Sequence, residues 1–452
     1  MSKTIFKKKR LVLIIGVFSV LMSTQHMGMS YINSVSSIST IKEISYPFVG
    51  CFSDSYVSSV NPVYGERPLL LILIEFKDQP HSPEHDAEYY NEMLWGEENS
   101  LHDYFNEVSY GKFTYVKAGI LGWYKSTCSI KFFRFNFFRT TDIIARQAFK
   151  KAAQDQSFNF TQYDKNDDQI ITPDELSIVV VVSNSDKKIN YAYTKRVKNK
   201  LKMFDQVKTW DGIFIKLRYC GIPEDWYMRI YAHELGHTLD LPDLYDYSFI
   251  ATGNSNGIGN YCVMNPAPGT NKPVHFCAWS KIKLGWIDPV IISEDGYHEI
   301  HDIEGYPEAY ILQDPSHSTS EYFLVENRQR IGYDEQIPDT GIVIYHIDES
   351  RLSRYYGGNV LNFMGDNKDE THKLVDLECA DSPSSHFMNA DDLDSGKNYG
   401  DIYDLWDINE YVFHDDSIPC NSRWYDGTKS GISIEVLSES SNTMEVYFSI
   451  NG

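Results

Sequence analysis

The chain has no CxxC pair, no internal repeat at solenoid or propeller spacing and no long low-complexity tract. Those absences exclude a cysteine-ligated zinc finger, a repeat architecture and a long disordered region. Basic residues are scarce: 41 Lys and Arg stand against 63 Asp and Glu, for a formal charge of −22. A field of that sign repels nucleic acid and anionic membrane, and sets both aside as partners. Long apolar runs are scarce as well. The longest, Leu11 to Met22, is shorter than the roughly 20 residues a membrane span needs. Lys7-Lys8-Lys9-Arg10 precede it and small residues follow it. This predicts a cleaved secretory leader over residues 1–28, cut between Ser23 and Ser30, in preference to a signal anchor. The mature chain is then secreted, more acidic still, and without stable membrane insertion.

What is present suits a folded protein. The 452 residues are 42% hydrophobic and 14% aromatic, enough for a sizeable core. Residues 29–65 read as a pro-segment or N-terminal extension. The run LLLILIEF (69–76) predicts a buried strand, and SLHDYFNEVSYGKFTYV (100–116) an amphipathic helix, a turn at Gly111 and a strand. TTDIIARQAFKKAAQ (140–154) has helical spacing, with Thr140 or Thr141 as N-cap, and LSIVVVVSN (176–184) predicts a second buried strand. After Pro289 the pattern turns to short alternating strands, among them EYFLVEN (321–327), GIVIYHID (341–348) and ISIEVLSES (432–440). The expectation is an α+β fold: a catalytic domain over 66–295 and a β-rich C-terminal region over 296–452 packed on it.

The chemistry gathers in YAHELGHTLDLPDLYD (231–246), on a helix expected from about Pro223 to Leu239. Residues four apart share a helix face, so His233 and His237 can present two imidazoles to one ion. Glu234 sits beside them, rotated aside, where it reaches a zinc-bound water rather than the ion. Composition alone would produce this HExxH pattern roughly 0.03 times in such a chain. Catalytic zinc needs a third protein ligand and an open position. In metzincin-like proteases a longer motif supplies it six residues past the second histidine, after a glycine that turns the chain. Here Asp243 stands at the ligand position and Asp240 at the glycine position. Asp246 and a residue further downstream stay open as alternatives to Asp243.

The segment HELGHTLDLPDLYD closely resembles the motif of immune inhibitor A-type secreted zinc metalloproteases. So do, in the same order along the chain, RPLLLILIEFKDQPH (67–81), SLHDYFNEVSYGKF (100–113), NYCVMNPAPGTNKPVHFCAWSKIKLGW (260–286), EYFLVENRQRIGYDEQIPDTGIVIYHIDE (321–349) and HKLVDLECAD (372–381). The resemblance covers most of residues 67–385, and Asp240 in place of the usual glycine is its main departure. It implies a zincin-like catalytic domain, with the HExxH helix as the floor of a cleft below a twisted sheet and Met264 as the Met-turn under the zinc. It also implies a zinc endopeptidase in which Glu234 is the general base and protein or peptide is the substrate. Tyr261 and His275 are the nearest candidates for a group that stabilises the oxyanion.

Three lesser readings accompany this one. YDKNDDQIITPDEL (163–176) follows an EF-type register, with Asp164, Asn166 and Asp168 at positions 1, 3 and 5, Ile170 at 7 and Glu175 at 12. That register predicts Ca2+, although Gln169 stands where glycine makes the sharp turn. Asn159-Phe160-Thr161 is the sole glycosylation sequon. The seven cysteines, Cys51, Cys128, Cys220, Cys262, Cys277, Cys379 and Cys420, are expected mostly in disulfides in a secreted protein. Cys262 with Cys277 could clip the Met264 loop, and Cys51 is a candidate zymogen latch. Two other function classes compete: a surface protein carrying a decayed zincin fold, and a zinc amidase. Retention of both histidines and Glu234 argues against the first, and the long β-rich region against the second.

Overall fold

The computed structural model describes residues 62–135, 137–185, 187, 189, 192–196, 206–216, 218–245, 255–265, 271–318, 320–352, 372–380, 393, 398–409, 412–418 and 420–450. The leader, most of the N-terminal extension, Cys51 and Asp246 lie outside these residues.

The first half alternates strands and helices. In order they are β1 (Gly65–Glu75), α1 (Ala87–Trp95), α2 (Leu101–Val108), β2 (Phe113–Lys125), α3 (Ile130–Phe135) and α4 (Phe137–Ala152). Then come β3 (Ile170–Ile171), β4 (Ser177–Val182), β5 (Tyr193–Arg196), β6 (Gln206–Lys208), β7 (Phe214–Lys216), β8 (Arg218–Pro223), α5 (Met228–Thr238) and α6 (Ala278–Lys283). The second half is strands: β9 (Val290–Ile291), β10 (Gly296–His301), β11 (Tyr310–Leu312), β12 (Glu321–Arg328), β13 (Gly341–Asp348) and β14 (Val375–Leu377). The last three are β15 (Val412–Phe413), β16 (Ser433–Val436) and β17 (Thr443–Ser449). This is a mixed α/β chain of the α+β kind. No helix of the described residues is long and apolar enough to cross a membrane.

The sheet nearest the HExxH segment has the order β2-β1-β4-β8-β5. Its first four strands are parallel, with Leu69 opposite Ser177 and Val179 opposite Cys220, and β5 closes the edge antiparallel. Parallel strands covered on both faces read as unbroken apolar runs, and IVVVV in β4 is one. Successive residues divide between two cores. Leu69, Leu71, Leu73, Val179, Val181 and Ile222 pack in the cluster that holds α1, α2 and α5 residues. Leu70, Ile72, Ile74, Ile178, Val180 and Val182 pack with Ile144, Ala148 and Phe149 of α4.

A second five-stranded sheet, β14-β13-β12-β11-β9, and a four-stranded one, β10-β17-β16-β15, form the β-rich half. The first core does not stop at residue 295. Ile311, Tyr322, Leu324, Val343 and Tyr345 belong to the same cluster as Leu235 and Met264. A third cluster lies between the two β-rich sheets, with Phe323, Val325, Ile342 and Ile344 against Ile434, Val446 and Phe448. All described residues fall within one compact unit, Asp54–Gly452.

Two boundaries differ from expectation. The HExxH helix begins at Met228, because Pro223 closes β8: its neighbour Ile222 is buried, and Glu224 continues the ladder by donating its N–H to Val182 O at 2.9 Å. The α4 helix begins at Phe137, so neither Thr140 nor Thr141 caps it.

Candidate metal centre

Helix α5 carries His233, Glu234 and His237 on its last two turns. The imidazoles lie 4.7 Å apart between centroids and nearly perpendicular, at 85°. The chain then turns back and brings Asp243 to them. Asp243 Oδ1 is 3.2 Å from His233 Nε2 and 3.3 Å from His237 Nε2. Among the described residues this is the one group of three or more His, Cys, Asp or Glu whose ligand atoms all lie within 4.8 Å of one another. The side chains are 13%, 19% and 11% exposed, so the point where they converge is reachable from solvent.

The hydrogen bonds behind the rings decide what the convergence is for. His233 Nδ1 lies 2.9 Å from Val263 O, and His237 Nδ1 lies 2.9 Å from Leu241 O. A carbonyl oxygen can only accept, so each Nδ1 carries a proton, and Nε2 is the nitrogen each ring turns toward Asp243, where it can give a lone pair to a cation. Asp243 Oδ1 accordingly has no hydrogen-bond donor although it is buried. Three acceptors facing one point repel one another unless a cation sits there. Zinc bonds of about 2.0–2.1 Å at the tetrahedral angle put ligand atoms roughly 3.3 Å apart, which matches the spacing seen. His237 also lies in the last turn of α5, where the helix dipole is negative and favours a cation.

The same demand shows in proton affinity. Burial pushes His237 down, but the Asp243 carboxylate, with Glu234 behind it, raises it to about 9. Burial pushes the Asp243 carboxyl up, and the His237 and His233 rings overcome that and hold it well below the usual carboxylate range. Glu234 is 5% exposed and acts on His237 through its charge.

Met264 is fully buried under the helix. A Cβ added to Gly236 would fall 2.6 Å from Met264 Sδ and 3.3 Å from Phe276 Cε1, so only glycine lets the helix settle this close. Val263 O holds His233, and the next carbonyl, Met264 O, accepts the N–H of Leu244 beside Asp243 at 3.1 Å. The His233 ring and the peptide after Asp243 are thus tied to consecutive carbonyls of the 261–265 segment. The sequence marks Gly236 and Met264 separately but nothing in it pairs them. The acceptor role of Leu241 is equally silent.

Several expected residues are placed elsewhere. Tyr261 is buried and donates its hydroxyl to Asp404 Oδ2 at 2.9 Å. His275 is fully buried, with Nε2 2.9 Å from Glu107 and Nδ1 3.0 Å from Lys281 Nζ; burial first, and then the Lys281 charge, lowers its pKa. Neither side chain serves the triad. His275 acts through its backbone, accepting from Val263 N–H at 3.1 Å and donating to Asp334 Oδ1 at 2.8 Å.

No disulfide joins the described cysteines, which corrects the expectation from a secreted chain. Cys262 and Cys277 do come together in the core, but as thiols: the Cys277 N–H donates to Cys262 Sγ at 3.4 Å. Cys128, by contrast, is buried in the cluster on the α4 side of the sheet, away from that pair.

In the acidic loop the side-chain oxygens accept hydrogen bonds from the loop's own backbone. Asp164 accepts from Asp168 N and Gln169 N, Asp168 Oδ1 from Ile170 N, and Glu175 from Lys165 N and Thr172 N. Asn166 Oδ1 also accepts from Asp168 N. Gln169 takes φ 63°, the left-handed conformation a glycine would hold freely. Asp164, Asp168 and Glu175 do not gather as the zinc-type triad does. Asn159 accepts from Thr161 N at 3.1 Å in an exposed turn.

Comparison with known families places this geometry. The family model for the immune inhibitor A peptidase M6 catalytic domain matches residues 186–282, the stretch that holds the triad, Glu234 and Met264. No curated protein matches the chain.

Proposed function

Over residues 186–282 the chain belongs to the immune inhibitor A peptidase family, and on that premise we propose that it is a secreted zinc-dependent endopeptidase. The observation that carries the zinc reading is the orphaned Asp243 Oδ1, held between two imidazole lone pairs at zinc-ligand spacing.

His233, His237 and Asp243 would hold the ion, and Val263 O and Leu241 O would keep the two rings in the ligating tautomer. Bound zinc would supply Lewis acidity toward a water and the scissile carbonyl. Glu234 would take the proton from that water and deliver it to the leaving amine nitrogen. Glu234 is 5% exposed and next in sequence to the ligand His233, so it would act from within the site. Met264 would be the Met-turn, a polarisable cushion packed under the ligand helix. Helix α5 packs on β8 and on β5, the edge strand among the described residues, and we propose that an extended peptide pairs with that edge. The family supports a peptidase acting on protein or peptide substrates. The basic-then-apolar N-terminus supports secretion. Calcium in loop 164–175 is supported by register alone.

The test is Glu234→Gln in an assay with unfolded casein. Activity should fall by about 10²–10⁴-fold, the usual share of a general base, while zinc content stays at one per chain. Cleavage at the parent rate would remove Glu234 from the reaction.

A further inference from the structure

We propose that Arg218 and Asp240 form a clasp that holds the turn after α5 in the one shape that completes the metal triad. Arg218 is then a positioning residue of the site, and the inference rests on the zinc reading above.

The turn is a Schellman ending. Leu241 N–H donates to Gly236 O at 3.3 Å and Asp240 N–H donates to His237 O at 3.1 Å, the six-to-one and five-to-two bonds of that motif. Asp240 occupies its left-handed position, with φ 68°. Glycine fills that position without steric cost, and a residue with a Cβ does not. Every downstream placement depends on this residue. Only a chain reversed here brings Leu241 O to His237 Nδ1 at 2.9 Å and then Asp243 to both Nε2 atoms.

Something must hold an aspartate in that conformation, and Arg218 is the group in contact. Its Nη2 donates to Asp240 Oδ1 at 2.8 Å and to His237 O at 2.9 Å. One guanidinium nitrogen thus bridges the strained residue and the final-turn carbonyl of the ligand residue itself. Arg218 is held in turn by the sheet, since it starts β8 and pairs with Arg196 of β5. Its side chain is 18% exposed and that of Asp240 48%. An exposed pair of this kind adds little to global stability. Its effect is geometric: it fixes a torsion on which two ligands depend at once. The positive charge also lies at the C-terminal end of α5, where unpaired carbonyls favour it.

The clasp predicts a coupling that general structural damage does not. Zinc affinity is measured by competition with a chromophoric chelator, the visible spectrum of the Co2+-loaded protein reports ligand geometry, and circular dichroism reports folding. R218M and D240A should each weaken zinc binding by about 10-fold or more, within the 10–100-fold range for lost partners of metal ligands, and both should alter the Co2+ bands. D240G should stay within about threefold of the parent, because glycine takes the same torsion unaided. R218M placed on top of D240G should then cost less than about threefold more. If R218M weakens binding equally in both backgrounds, or in neither, the clasp is overturned. Should D240A fail to fold, the two R218M backgrounds decide alone. A control separates this from the zinc reading: zinc held equally well by H237A overturns the site, and the clasp with it. Zinc lost from H237A but no Arg218–Asp240 coupling overturns the clasp only.

Discussion

Two segments of this protein carry metal-ligand spacing, and the structure treats them differently. In 233–243, two nitrogen lone pairs and a carboxylate oxygen meet with no donor among them. In 164–175, the carboxylates accept amide hydrogens of their own loop. Spacing alone makes both look like ion sites. What separates them is whether the acceptors are already satisfied. A loop whose oxygens are paired with backbone amides is stable without an ion, whereas a triad of facing lone pairs is not.

The contrast can be broken at three strengths. The strongest is H237A, expected to lower zinc affinity at least ~100-fold, since structural-type zinc binding near 10–16 kcal/mol is shared among about four ligands. Equilibrium dialysis measures this, and unchanged zinc content would remove the distinction between the two segments. The next is Gly236→Ala. The added methyl would meet Met264 Sδ at 2.6 Å, and overpacking of this kind costs about 1–3 kcal/mol. Thermal unfolding of zinc-loaded protein should show the loss; an unchanged midpoint would mean the helix has slack under it. The weakest is Asp164→Ala, which removes the acceptor for two loop amides and should cost about 0.5–1.5 kcal/mol in chelator-treated protein. Zinc content and caseinolysis should not move. If zinc falls with Asp164, the two segments are not independent.

Much of the fold could be read from local pattern. The runs at 69–76 and 176–184 are continuous and apolar because β1 and β4 are covered on both faces; the strands at 321–327 and 341–348 were expected to alternate but are buried at every position, because β12 and β13 also have a core on each face. The triad was legible for the same reason: a four-residue interval and a six-residue interval are local facts. Long-range facts were not legible. Nothing in the chain announces that Arg218, 22 residues before Asp240, clasps it, or that Gly236 makes room for Met264. The expected helix start near Pro223 misses because Pro223 ends β8, and the next ladder N–H comes from Glu224. The disulfide expectation rested on an expected compartment, and a compartment does not by itself bring two sulfur atoms to bonding geometry among the described cysteines.

The approach of Gly236 to Met264 bears on how the triad can move. His233 hangs on the Val263 carbonyl, the residue after Asp243 hangs on the Met264 carbonyl, and the helix rests on the sulfur of the same residue. One dipeptide therefore serves as the datum for the whole floor, and the floor shifts as a block or stays still.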